Sequence, residues 1–241
     1  MRSSGSNNST VIAGTSAAMS DEWLDAPWAK AVMCCIADPA ADLDFIMAHG
    51  WPEWMPLDIA LAQPFTRIKL GRWLLRGQSD QPSAIISACA ARRSRLAFLP
   101  GQDAVRLMRL AGAWVGASGL TGLIRTSDIA AVRAALGEEA VAFAPQAALL
   151  PRPTAELMSA IGACDIPSAP SALLHCGAAI FGLAIGGIPQ MLRTRLGLRR
   201  PAPLWAAAVD ACRDDNAGED AFNAMRRLVR KRIPKWSHWF S

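Results

Sequence analysis

Apolar positions recur at helical spacing along most of this chain. The clearest case is EDAFNAMRRLVRKRI, residues 219–233, where Phe222, Met225, Leu228, Val229 and Ile233 share one side, at separations that align on an α-helix. Arg226, Arg227, Arg230 and Lys231 fall on the other side, and Pro234 marks the end. Upstream, TSDIAAVRAALGEEAVAFAPQAALL predicts a helical hairpin. Thr126 or Ser127 is placed to cap its first helix, Ile129, Val132 and Leu136 make its stripe, and Gly137 suits a left-handed stop. Glu138 and Glu139 suit the first turn of the second helix, which should end or kink near Pro145.

The same spacing predicts helices elsewhere. Trp23, Leu24, Trp28, Val32 and Ile36 mark one, and FTRIKLGRWLLR, residues 65–76, makes a basic amphipathic one. Pro82 suits the first turn of a helix through SAIISACAARRSRLAFL, with Arg92, Arg93 and Arg95 as a solvated cationic face. QDAVRLMRLAGAWVGA, a Thr154-capped AELMSAIGA, PQMLRTRLGL led by Pro189, and LWAAAVDACRDD complete the set, with a break at Asn216 to Gly218. Between the first two, HGWPEWMP predicts an irregular corner pinned by Trp51 and Trp54.

One stretch has no polar face. Residues 172–188, ALLHCGAAIFGLAIGGI, lie in an uncharged run and are followed by Arg193, Arg195, Arg199 and Arg200. At 17 residues with four glycines, it falls short of the roughly 20 needed to cross a bilayer. Its Gly/Ala surface suits close packing, so it is expected to be the central core helix; a membrane anchor spanning near 172–188 is the alternative.

Composition agrees with helices. Of 241 residues 52% are hydrophobic and none is Tyr, enough apolar material for a sizeable core. The expected fold class is all-α, mainly helical: one compact domain over residues 21–241, with a possible subdivision near 150–170 and residues 1–20 as a disordered tail. Six cysteines without a CxxC pair suit buried thiols in a reducing compartment. The N-terminal stretch has one Arg and no continuous apolar core, unlike a signal peptide.

Charge is polarised. Residues 21–58 hold eight acidic side chains and one basic, whereas residues 193–241 hold eleven basic and five acidic. Ends of opposite sign suit pairing with each other or with two partners. Nucleic-acid binding is not expected, because Asp210, Asp214, Asp215, Glu219 and Asp220 dilute the cationic segment that carries Trp236, His238 and Trp239. Only three histidines are present, with no HExxH, GxxxxGK[ST] or GxSxG. No catalytic set, cofactor or metal site is therefore expected. The enzymatic alternative is a small hydrolase or transferase using Cys176 or Cys35 near a His.

Three elements together carry a resemblance: HGWPEWMP leading into FTRIKLGRWLL, then SDIAAVRAALGEEAVAFAPQAALL, then the apolar helix running into PQMLRTRLGLRRP. In this order they resemble the YscK/SctK family of bacterial type III secretion, which includes NolU-like members of rhizobia and plant pathogens. The resemblance covers most of residues 44–203. It implies a helical, non-enzymatic, cytoplasmic adaptor of the sorting platform, peripheral at the inner-membrane face. Such an adaptor links the cytoplasmic domain of the inner-membrane ring protein to the pod (C-ring-like) protein. Candidate partner-binding residues are Trp51, Trp54, Arg193, Arg195, Arg199, Arg200, Arg226, Arg227, Arg230 and Lys231.

Overall fold

A helix with no charged side chain must be covered by other helices. In the computed structural model of the protein, the helix Pro170–Ile185 is covered in this way. The structure describes residues 28–37, 62–74, 87–88, 91–123, 125–162, 169–197, 202–212 and 216–240. Residues 1–20, the corner of Trp51 and Trp54, and Arg199 and Arg200 lie outside these, as do the side chains of Cys35 and Arg195.

The order is α1 (Ala29–Ala37), α2 (Pro64–Leu74), a 3-10 helix (Arg93–Phe98), α3 (Gly101–Val115), α4 (Ala117–Thr121), α5 (Thr126–Leu136), α6 (Glu138–Ala147) and α7 (Ala155–Ala160). There follow α8 (Pro170–Ile185), α9 (Gln190–Gly197), α10 (Ala202–Ala211), α11 (Asn216–Arg232) and a closing 3-10 helix (Pro234–Phe240). The fold is all-α, with no strand among the described residues.

Helix α8 is the hub, packed by α3, α10, α11 and α5. Its small residues allow backbones to touch. A Cβ added at Gly177 would lie 1.9 Å from the Met108 carbonyl oxygen of α3, and one at Gly182 would lie 1.9 Å from that of Ala208 in α10. From the other side, a Cβ on Gly112 would lie 2.5 Å from the Leu173 carbonyl oxygen. The apolar surface thus meets other helices, and no helix among the described residues is long and apolar enough to cross a membrane.

The expected solvated face of Arg92, Arg93 and Arg95 needs correction. Arg93 Nη2 donates to the Leu183 carbonyl at 2.7 Å, and its Nε reaches that of Ala184 at 3.4 Å. These carbonyls belong to the last turn of α8, where the Leu183 oxygen also accepts from the Gly186 amide at 3.1 Å and the helix dipole favours a cation. Gly218 makes room for the guanidinium: a Cβ there would fall 1.9 Å from Arg93 Nη2. The expected break at Asn216 to Gly218 is accordingly the first turn of α11, with glycine selected by close approach. Arg95 donates to the Trp239 carbonyl at 3.1 Å and lies 4.8 Å over the Trp28 ring, so of the three only Arg92 is exposed. The inward-turned Arg93 and Arg95 are followed by buried Leu96, Ala97, Phe98 and Leu99, and the segment winds as a 3-10 helix.

The hairpin forms as expected, α5 against α6, with Gly137 at φ 84 and ψ 161, a conformation reserved for glycine. Arg125 occupies the capping position, so neither Thr126 nor Ser127 caps α5, and α6 runs two residues past Pro145. Arg106 of α3 clamps the start of α6 through two 2.6 Å hydrogen bonds to the Glu139 carboxylate. On α11 every apolar residue expected inside is buried: Phe222, Met225, Leu228 and Val229, with Ile233 just beyond. The closing 3-10 helix buries Trp239 and Phe240 and docks on α3. There the Asp103 carboxylate accepts from Trp236 Nε1 at 2.7 Å and from Lys235 Nζ at 2.8 Å.

Candidate functional site

Because the apolar stripe of α11 is used by the core, its cations are directed outward. Arg227, Arg230 and Lys231 are exposed, and Arg226 is half-buried with its guanidinium 6.0 Å from the Phe222 ring centre. None of these four is ion-paired among the described residues. Arg232, next on the helix, instead bonds Gln146 and lies 4.5 Å over the Phe143 ring, fixing α11 to α6.

The N-terminal half of α11 faces the connection between α6 and α7, and a cleft of about 370 Å³ separates them. Arg152, Thr154 and Trp114 form one wall; Asp220, Asn223, Arg226 and Arg227 form the other. The first wall is fixed. Trp114 Nε1 donates to the Pro151 carbonyl at 2.9 Å, and Thr154 caps α7 by accepting from the Leu157 amide at 3.1 Å. The Thr154 hydroxyl stands 3.5 Å from an Asp220 carboxylate oxygen, joining the two walls at one end. Just before the cleft, Leu149 is 87% exposed, the most exposed of the large apolar side chains described.

The other sequence candidates fare differently. Arg193 is half-buried and donates to the Ile188 carbonyl at 3.0 Å, while its own carbonyl accepts from Trp205 Nε1 at 3.0 Å. It braces the corners between α8, α9 and α10. The structure places Arg226 and Arg227 together on the cleft, and Arg230 and Lys231 farther along the same helix. Sequence reading missed Arg152, Thr154, Asn223 and Leu149. A signal was present in PRP, residues 151–153, since flanking prolines keep Arg152 out of a helix.

Cys176 and His175 do not form a pair. The Cys176 thiol is buried, which pushes its pKa up, whereas His175 is exposed with Nδ1 2.8 Å from the Ser171 carbonyl oxygen. Cys212 is likewise buried, its pKa pushed up chiefly by desolvation, and its Sγ bonds the Gly186 carbonyl. Cys34 is exposed. A disulfide-exchange reagent at neutral pH should label Cys34 rapidly, and Cys176 and Cys212 only on unfolding. Because folding raises both buried thiol pKa values, their stabilising contribution is complete below the unfolded value of about 8.5 and is lost as pH climbs through the higher folded values. The urea midpoint should fall above about pH 9, and fall less in a variant with both residues changed to Ala. Equal slopes would contradict this assignment.

No group of His, Cys, Asp and Glu able to hold a metal ion occurs among the described residues. Comparisons of the chain with family models, with curated proteins and with solved structures find no match.

Proposed function

We propose that the chain is a helical adaptor of the YscK/SctK kind, a cytoplasmic, non-enzymatic link in a type III secretion sorting platform. One partner would be the cytoplasmic domain of the inner-membrane ring protein and the other the pod protein. The family assignment rests on the sequence resemblance. The observation that carries an adaptor role is the division of α11, one side buried and the other offering Arg226, Arg227, Arg230 and Lys231 without internal ion pairs among the described residues. Cations left uncompensated beside a rigid cleft favour an acidic protein surface and set specificity and on-rate.

The test is a charge reversal of these four residues to Glu, followed by co-purification with each of the two partners encoded by the same organism. One association should be abolished and the other kept, and the lost one should also weaken between low and physiological salt, as screening requires. Retention of both associations by the variant would sink the assignment.

A further inference from the structure

We infer that the cleft between α11 and residues 150–154 is the seat of an acidic, apolar-flanked segment of a partner protein. Arg152, Arg226 and Arg227 would hold a carboxylate of that segment, and Leu149 would take its apolar side chain. The inference deepens the adaptor reading and rests on it for the identity of α11 as a partner face.

Three arginines line the cleft from two separate elements, against one acidic residue, Asp220. Arginine presents a planar fork that matches a carboxylate bidentately, and no carboxylate of the described chain takes up the forks of Arg152, Arg226 or Arg227. The site is preorganised. Pro151 is tied to Trp114, Thr154 is committed to capping α7, and Arg226 lies along Phe222, so little ordering remains to be done on binding.

The occupant's chemistry follows from the other groups present. Asp220 opposes a dianion such as free phosphate, whereas a peptide carboxylate spreads one charge over the fork and leaves Asp220 available to peptide N–H groups. Leu149, 87% exposed and three residues from Arg152, offers contact area that phosphate cannot use. An acidic segment with an apolar neighbour satisfies both features.

The experiment is fluorescence polarisation of a short fluorescein-labelled peptide of Glu and Leu residues against the full chain, with inorganic phosphate as competitor. Arg152→Glu should weaken binding about tenfold or more, since losing a charge-assisted hydrogen bond and adding repulsion costs at least one decade. Leu149→Asp should weaken it several-fold. Lys30→Glu, at an exposed cation of α1 that does not line the cleft, should change it by less than about threefold. Phosphate should not displace the peptide.

Arg152 and Leu149 are both exposed, so unchanged melting checks the fold, and Arg152→Gln makes the same comparison if the Glu variant melts early. Unchanged affinity in both Arg152 variants, absence of peptide binding, or displacement by phosphate would each overturn the inference. The two readings fail separately. If the fourfold reversal of α11 severs one partner while Arg152→Glu leaves peptide binding intact, the cleft falls and the adaptor stands. If Arg152→Glu weakens the peptide while the fourfold reversal keeps both partners, the adaptor falls and the cleft stands.

Discussion

Gly177→Ala is expected to destabilise the protein by about 3 kcal/mol or more, the upper range for overpacking. For a chain of this size that lowers the melting temperature by roughly 6–12 °C. The magnitude decides between two opposed effects. Alanine favours a helix over glycine by about 1 kcal/mol, but at Gly177 its methyl would stand 1.9 Å from the Met108 carbonyl oxygen and 2.7 Å from the Gly112 nitrogen. Both obstacles are backbone, so α3 and α8 must move apart, and Gly112 and Gly116 would lose their close contacts with Leu173. Gly182→Ala should behave alike against the Ala208 carbonyl of α10. Gly119→Ala is the internal reference. Nothing lies within 4 Å of its added Cβ, and it should be neutral or stabilise by up to about 1 kcal/mol. Thermal melts of the three variants, followed by circular dichroism, check the set. A Gly177 variant that melts with the parent would mean that α3 and α8 are not in backbone contact.

The second large effect is a coupling. Arg93→Ala takes the guanidinium away from the Leu183 and Ala184 carbonyls, of which Leu183 keeps the Gly186 amide at 3.1 Å, and the lost charge-assisted bonds should cost about 1.5–3 kcal/mol. Gly218→Ala drives a methyl into the Arg93 guanidinium, and should cost about 1–3 kcal/mol. In the double variant the guanidinium is gone and the methyl enters vacated space. The combined loss should therefore fall short of the sum by about 1–2 kcal/mol. Recovery is partial, because the same methyl stands 3.1 Å from the Leu183 carbonyl oxygen. Urea unfolding of the four proteins measures the coupling, and strict additivity would show that Arg93 and Gly218 do not share this space.

Periodicity made much of this architecture legible. The stripe of Phe222, Met225, Leu228 and Val229 is a local property of one helix, and so are the Gly137 turn and the Thr154 cap. The uncharged stretch required a cover, and its 17 residues with four glycines favoured helices over a bilayer, with a membrane anchor as the alternative. Roles created by distant contacts were not legible. A run of three arginines has the same local pattern whether it faces water or caps another helix, and Arg93 is separated from Leu183 by 90 residues. Glycine at 218 looks like a breaker until the guanidinium it accommodates is seen. The cleft is of this second kind. Arg226 and Arg227 stood out as part of a charged face, but Arg152 and Thr154 reach them only through the folding of the α6–α7 connection onto α11.

The closing 3-10 helix has a consequence for synthesis. Trp236 bonds Asp103 across 133 positions, and Trp239 accepts from Arg95 across 144. Contacts of such separation form late and slowly. On the ribosome, α3, α5, α6 and α8 can associate while translation continues. The sites around Asp103 and Arg95 stay open until residues 236–240 have emerged, so the nascent chain passes through an interval in which the Asp103 end of α3 lacks this cover.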